Sequence, residues 1–248
     1  MRVAALYDIH GNLPALEAVL EDVRKAGVNR VVVGGDVVPG PMPCETIAVL
    51  RDLDLPVQFI RGNGDREVVG WRRGEESSVI PESYRETMRW VARQLHPDEE
   101  ALLAAWPLTV TVEVDGIGEV LFCHATPRND TEIFTQRTAE DRLLPVFDGV
   151  MAPLVVCGHT HMQFDRMVGT TRVVNAGSVG MPFAEPGAYW LLLGPDVQLR
   201  RTSYNLANAA ERIRATAYPQ ADTFAARSVV QPPSERDMLD VFSQGELT

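Results

Sequence analysis

Apolar residues fall along this chain in short runs, each ending in a polar, glycine-containing loop and followed by an amphipathic stretch. Val3 to Leu6 is the first run, and Asp8-Ile9-His10-Gly11-Asn12 is its loop. The spacing of Leu16, Val19, Leu20 and Val23 then predicts a helix, with Pro14 in its first turn and Gly27 at its stop. Val31 to Val33 forms a second run, followed by Gly34-Gly35-Asp36, a proline-rich loop and a predicted helix from Glu45 to Leu53. A third run, Pro56 to Ile60, ends in Arg61-Gly62-Asn63-Gly64-Asp65. Strand and helix in alternation predict right-handed βαβ units and a parallel sheet.

The rhythm then changes. Residues 66–106 carry Trp71, Trp90 and Trp106 among charged residues, with helical patterns near 82–95 and 98–105, and read as a helical insertion on or beside the sheet layers. The three tryptophans suit aromatic packing of a small cap better than stacking on a nucleobase. From Leu108 the pattern turns antiparallel: Val110, Val112 and Val114 alternate with polar residues, Asp115-Gly116 has hairpin chemistry, and Val120 to Cys123 returns. A helix over 137–147 precedes a buried run, Leu154 to Cys157, that ends at Gly158-His159-Thr160-His161. Two further hairpins turn near Gly169-Thr170 and Gly194-Pro195, and a helix over 205–217 closes the compact part. The domain reading is one unit over 1–218, with the 66–106 insertion, and a polar extension over 219–248. That extension either is loosely attached or packs on a partner subunit, which would make the protein a homo-oligomer.

Composition narrows the classes. The 248 residues are 45% hydrophobic with 34 acidic against 23 basic residues, a net charge of −11. The apolar share argues against disorder, and the acidity argues against an extended nucleic acid as partner. No run approaches the roughly 20 apolar residues of a membrane helix. Asp8 and His10 come too early for a secretory leader, and three cysteines without pairing spacing read as free thiols, so a cytoplasmic protein is expected.

The chemistry lies where the polar residues fall. Asp8 and His10, Asp36, Asn63 and Asp65, His124, and His159 with His161 each follow directly on an apolar run. In an α/β sheet that edge is where loops converge on one crevice. Imidazoles, carboxylates and an amide oxygen suit Mn²⁺, Fe²⁺, Zn²⁺, Co²⁺ or Ni²⁺. The seven groups Asp8, His10, Asp36, Asn63, His124, His159 and His161 exceed the needs of one ion and suit two ions sharing a carboxylate. Such a pair holds a phosphoryl group and generates a hydroxide at neutral pH.

This ordered set of motifs resembles the calcineurin-like metallophosphoesterases, in particular their compact bacterial and archaeal branch. The resemblance rests on Asp8-Ile9-His10, Gly35-Asp36, Gly62-Asn63-Gly64-Asp65, His124 and Gly158-His159-Thr160-His161, and on Asn175-Ala176-Gly177-Ser178 after the last pair. It covers about residues 1–204 and implies a four-layer α/β/β/α sandwich with a dimetal site at the sheet edge. By position, one ion would take Asp8, His10 and His161, the other Asn63, His124 and His159, with Asp36 bridging. The implied activity is hydrolysis of a small phosphate ester by a metal-bridging hydroxide, with Asp36 and His124 at the reacting centre.

One departure bears on the substrate. The family's third motif usually has a histidine where this chain has Gly64, and glycine supplies neither a proton nor a charge to the leaving oxygen. Removing that ring opens space beside the metals and lessens the preference for a dianion, so the expectation is a phosphodiesterase. Restoring a histidine at 64 would then shift the preference toward monoesters. The alternatives are a phosphomonoesterase, of the protein-phosphatase or dinucleoside-polyphosphate type, and a metal-stabilised scaffold with weak turnover. Arg128 is a candidate phosphate contact or a surface arginine, and Arg61 and Arg66 are weaker candidates. Asn12 reads as a helix cap, Asp65 as a turn residue or an orienter of a ligand histidine, His96 as a helix end, and Cys123 and Cys157 as packing.

Overall fold

The computed structural model describes residues 1–247. Its strands are β1 (Val3–Leu6), β2 (Arg30–Val33), β3 (Val57–Phe59), β4 (Thr109–Val114), β5 (Gly118–Cys123), β6 (Leu154–Cys157), β7 (Phe164–Val168), β8 (Thr171–Asn175), β9 (Ala188–Leu193) and β10 (Val197–Thr202). They form two five-stranded sheets, ordered β10-β9-β1-β2-β3 and β4-β5-β6-β8-β7. β1, β2 and β3 run parallel, as the sequence predicts. The β4–β5 hairpin is antiparallel, but β5, β6 and β8 are parallel to one another, so the second sheet is mixed. Both expected hairpins, β7–β8 and β9–β10, are present.

Alternation along the central strands builds the layers. On β1, Val3 and Ala5 pack between the sheets, while Ala4 and Leu6 face the helices. On β6, Leu154 and Val156 pack between the sheets, and Val155 and Cys157 face the opposite side. Strands covered on both faces read as unbroken apolar runs, which is why β1, β2 and β6 stand out in the sequence.

The helices are α1 (Leu13–Ala26), α2 (Pro43–Arg51), α3 (Asn63–Arg72), α4 (Glu82–Gln94), α5 (Pro97–Ala104), α6 (Glu140–Phe147), α7 (Leu206–Arg214), α8 (Ala221–Phe224), which runs into a π-helical turn (Ala225–Val230), and α9 (Glu235–Phe242). The first sheet buries one face under α1, α2 and α7, and Leu143, Val146 and Phe147 of α6 cover the outer face of the second. The result is a four-layer α/β/β/α sandwich. Among the described residues no helix is long and apolar enough to cross a membrane.

Two further segments pack against these layers. The 66–106 segment is continuous with the outer helical layer: Val68, Trp71, Met88, Val91, Leu103 and Trp106 join the core around α1, and Trp106 stacks on Phe59 of β3 at 4.8 Å. Trp90 meets Tyr218 edge-on at 5.5 Å, so all three tryptophans pack as expected. Residues 219–247 are not a loose tail. Phe224, Ala225 and Val229 are buried in that same core. Arg137 pairs with Asp240 at 2.7 Å and Arg142 with Glu246 at 2.8 Å, fastening the end of the chain to its own second sheet layer. The part of the expected extension at residue 248 lies outside the described residues.

Candidate metal centre

Every motif loop leaves the carboxyl end of a strand: Asp8 and His10 after β1, Asp36 after β2, Asn63 after β3, His124 after β5, and His159 and His161 after β6. Since β1–β3 are parallel to each other and β5–β6 likewise, these loops meet along one edge of the sandwich. There the backbone is strained. Asp8 (φ 53°), His10 (φ 50°), Asp36 (φ 52°), His159 (φ 65°) and His161 (φ 59°) all adopt left-handed conformations. Each costs of order 1–3 kcal/mol in a non-glycine residue, and such clusters collect at functional sites. Cross-loop hydrogen bonds hold them: His10 N donates to Asp36 O (2.9 Å), Asp8 N to Gly35 O (3.1 Å) and Gly180 N to Asp8 O (3.0 Å).

Two groups of ligand atoms result, Asp8 with His10 and His161, and Asp8 with Asp36 and His124. His161 Nε2 lies 3.3 Å from Asp8 Oδ1, His10 Nε2 3.8 Å from Asp36 Oδ2, and His124 Nε2 3.7 Å from Asp36 Oδ1. Three rings are aimed by backbone carbonyls: His10 Nδ1 at Pro39 O (3.1 Å), His124 Nδ1 at Gly34 O (2.9 Å) and His161 Nδ1 at Met181 O (2.7 Å). A carbonyl only accepts, so each Nδ1 carries the hydrogen and each neutral Nε2 presents a lone pair to the centre.

That arrangement asks for a cation. His10 Nε2 and His161 Nε2 face each other at 3.2 Å, lone pair to lone pair in the neutral rings. Asp8 Oδ1 is fully buried and has no hydrogen-bond partner, an arrangement costly for any carboxylate oxygen. Asn63 completes the second group. With its amide nitrogen turned inward it donates to His124 Nε2 (3.1 Å) and His159 Nδ1 (3.0 Å), and turning the amide over presents the oxygen instead. The residues present therefore fit two divalent ions, with N and O donors in numbers and types suited to borderline metals.

The electrostatics agree. Burial opposes ionisation of Asp8, but the surrounding His161, His124 and His10 rings outweigh it and hold the carboxyl below its usual range. Burial likewise pulls on His161 and His124, yet Asp8 raises the first and Asp36 with Asp8 the second above their ordinary values. His10 is lowered by burial and by His161, and His159 is pushed down to about 4 by burial and by His124.

Supporting residues sort as follows. Among the described residues Asp65 makes no hydrogen bond to a histidine. Its carboxylate accepts from Val37 N (2.8 Å), Val38 N (3.1 Å) and Gly62 N (3.1 Å), which ties the Asp36 loop to the start of α3, and burial beside Asp36 pushes its pKa up to about 7. Asn63 and Gly64 thus lie in the first turn of a helix, not in a free loop, and Gly64 is not among the positive-φ residues. Asn12 caps α1 through Ala15 N (3.3 Å) and donates to Gly180 O (2.9 Å). His96 is the N-cap of α5, and Cys123 and Cys157 are free and buried, with burial raising both thiols.

Arg128 is engaged within its own loop. Its Nε donates to both oxygens of Glu132 (2.7 and 2.9 Å) and its Nη2 to Glu132 as well, so the fork expected for a phosphate is filled by a carboxylate four residues on. Arg66 is similarly engaged with Asp130 (2.9 and 3.1 Å), with Arg61 3.7 Å from the same carboxylate. Sequence reasoning missed the carbonyls of Gly34, Pro39 and Met181, because a backbone acceptor has no residue-type signature. It also missed Phe183, which stacks on the His161 ring at 4.8 Å. Asn175 and Ser178 belong to the resemblance, and the structure gives them work: Asn175 Nδ2 donates to Gly158 O (2.6 Å) and Ser178 Oγ to Asp8 O (2.8 Å).

Comparison with known proteins agrees with this centre. Residues 1–194 match the model of the calcineurin-like phosphoesterase superfamily domain. An uncharacterized protein of Methanocaldococcus jannaschii is 27% identical over 239 residues, covering 88% of this chain and 94% of that protein. A metallophosphoesterase from Sphaerobacter thermophilus superposes with a TM-score of 0.70 at 27% identity, covering 92% of this chain and 99% of that one. A hypothetical protein from Pyrococcus horikoshii shares the fold with a TM-score of 0.78 at 22% identity, covering 90% and 97%. With the family model spanning all the motif loops from Asp8 to His161, the chain belongs to the calcineurin-like phosphoesterase superfamily.

Proposed function

We propose that this chain is a dimetal phosphoesterase that prefers phosphodiesters. Asp8, His10 and His161 would hold one divalent ion and Asn63, His124 and His159 a second, with Asp36 between them. When bound, two such ions supply charge neutralisation for the phosphoryl group and a nucleophilic water at neutral pH. The remaining work is done by the chain itself. The carbonyls of Pro39, Gly34 and Met181 keep the Nε2 atoms of His10, His124 and His161 in their ligating tautomer. Gly64 N–H fixes Asp36 Oδ1 at 2.7 Å, and His159 N–H fixes Asp8 Oδ2 at 2.9 Å, so neither carboxylate must reorganise when charge develops.

The diester preference is carried by Gly64, half-buried beside Asp36 in the first turn of α3. A glycine there leaves the leaving oxygen to take its proton from water, while the place a side chain would fill is held by Pro39 and Asp36, so the exchange removes a proton donor without opening the space expected from the motif. A loose monoester transition state leans on charge at that place more than an activated diester does.

The test is kcat/KM on an aryl phosphodiester and on the matching monoester, with saturating Mn²⁺ and again with Ni²⁺. A diester-to-monoester ratio above one is expected. A ratio well below one would overturn the diester preference and make the chain a monoesterase. No turnover of either ester by protein carrying two ions would overturn the enzymatic reading in favour of a metal-stabilised scaffold.

A further inference from the structure

Beside the metal centre lies a cavity of about 400 Å³ that neither the family motifs nor the ligand set explains. His10 and Pro39 form its inner end, together with Met181 and Phe183. These are not bystanders: the Pro39 and Met181 carbonyls aim His10 and His161, and Phe183 stacks on His161. The cavity is therefore continuous with the site. Its outer walls come from α4, with Thr87, Met88 and Val91, and from the C-terminal segment, with Tyr218, Phe224 and Met238. That C-terminal segment lies beyond residue 194, where the family match ends.

The lining is selective. In a chain of net charge −11, no aspartate or glutamate lines this space, and the side chain of its one arginine, Arg227, makes no hydrogen bond or ion pair among the described residues. An anion is thus tolerated at this mouth. Phe183, Tyr218 and Phe224 present aromatic faces, and Met88, Met181 and Met238 present thioethers, which pack well against ring edges. Among the polar side chains of the lining, which include Tyr84, Gln220, Thr223 and Ser228, Thr87 stands out. Thr87, 4% exposed, has a buried Oγ1 with no hydrogen-bond partner. An alkyl chain would leave that hydroxyl unsatisfied, whereas a ring bearing a hydrogen-bonding atom would not.

We propose that this cavity receives a flat aromatic substituent of the phosphate diester, one carrying a hydrogen-bonding atom, as a nucleobase does. The phosphoryl group then lies at the metal centre, the ring sits between α4 and the C-terminal segment, and Thr87 meets the polar edge of the ring. The inference rests on the phosphoesterase reading above and names its substrate class.

Binding separates the two. The Mn²⁺-loaded full chain is titrated calorimetrically with inorganic phosphate, methylphosphonate, phenylphosphonate, ribose 5-phosphate and uridine 5′-monophosphate. Phenylphosphonate is expected to bind at least ~10-fold more tightly than methylphosphonate, as burying a ring implies. Uridine 5′-monophosphate should exceed ribose 5-phosphate by a similar factor. Met238→Trp, which fills the cavity from α9, should bring both ratios toward one, and Thr87→Val should reduce only the uridine ratio. A melting curve establishes that each variant is folded. Phosphate binding without any gain from either ring would overturn the cavity assignment and leave the phosphoesterase reading standing. A gain for phenyl but none for the base would overturn the role given to Thr87. Failure of phosphate to bind, with no turnover of either ester, would overturn both readings together.

Discussion

The backbone N–H of Gly64 donates to Asp36 Oδ1 at 2.7 Å, and a Cβ at residue 64 would lie 2.9 Å from that same oxygen and 2.6 Å from Cγ of the Pro39 ring. Side chain and carboxylate compete for one place. Gly64→Ala should therefore push Asp36 aside and lower kcat/KM on an aryl diester by about 10- to 100-fold, the usual cost of displacing a reacting group by an ångström. Gly64→His meets the same obstruction, so it does not simply restore a proton donor, as the motif comparison alone suggests. Kinetics at saturating Mn²⁺, with a melting curve for folding, check this. Full activity in a folded Gly64→Ala protein would show that Asp36 has slack.

Asp36 also anchors the metal prediction. Its two oxygens lie near His10 on one side and His124 on the other (3.8 and 3.7 Å), and among the described residues it shares that place between the two halves of the expected ligand set with Asp8. Asp36→Asn should carry fewer than two ions per chain by elemental analysis and lose about 100-fold or more of its turnover, since an amide offers one neutral oxygen where two anionic ones are needed. His161→Ala should weaken one ion more than the other. Two tightly held ions in Asp36→Asn would refute the shared-ligand assignment.

Metal uptake should release protons near neutrality. The sign follows from the directions of the shifts. His161 and His124 are raised by Asp8 and Asp36, so they hold protons at a pH where a free imidazole has lost them. Asp65, pushed up to about 7 by burial and Asp36, holds part of one more, and a cation on Asp36 removes that repulsion. His159, at about 4, and His10, lowered, contribute none. Proton release should be largest on the acidic side of neutrality and diminish as pH rises, with affinity rising in the same direction. Calorimetry in two buffers of different ionisation enthalpy measures it directly, and no release on the acidic side would contradict the charge assignment.

What the sequence reveals here, and what it hides, has a physical pattern. The strand ends are legible because β1, β2, β3, β5 and β6 are apolar runs that stop abruptly at Asp8, Asp36, Asn63, His124 and His159. The start of α3 is not, because Gly62-Asn63-Gly64 has poor helix propensity, and only the Asp65 carboxylate on Gly62 N reveals the cap. The seating of the C-terminal segment is hidden for another reason. Phe224, Ala225, Ser228 and Val229 are buried at helical spacing, but the set is short and half of it is small side chains, so it carries little apolar signal. The partner of Arg128 is hidden as well, because Glu132 reads as an ordinary surface glutamate although its side chain is only 7% exposed.

Arg128→Gln tests that pairing. Glu132 keeps its bond from Thr126 Oγ1 (2.6 Å) but loses its countercharge. The expected result is a lower melting temperature with kcat/KM within about threefold of the parent, as for other partly exposed ion pairs. A large rise in KM with an unchanged melting temperature would return Arg128 to the role of phosphate contact.

The last prediction concerns residues 219–247. If they were a tail, substituting their apolar residues would leave stability untouched. Instead, Phe224 is 5% exposed and meets Tyr218 edge-on at 6.0 Å, and Tyr218 in turn meets Trp90 of α4, so one aromatic chain joins the C-terminal segment to the helical layer over β3. Phe224→Ala removes its C-terminal link and leaves a hole in the core that also buries Ala225 and Val229. The loss should be about 3 kcal/mol, in the range for a buried Phe→Ala exchange. Denaturant unfolding of parent and variant gives the difference as a shift in midpoint at constant slope. A shift near zero would mean that this segment does not pack in solution as it does here, and the outer wall of the cavity would go with it.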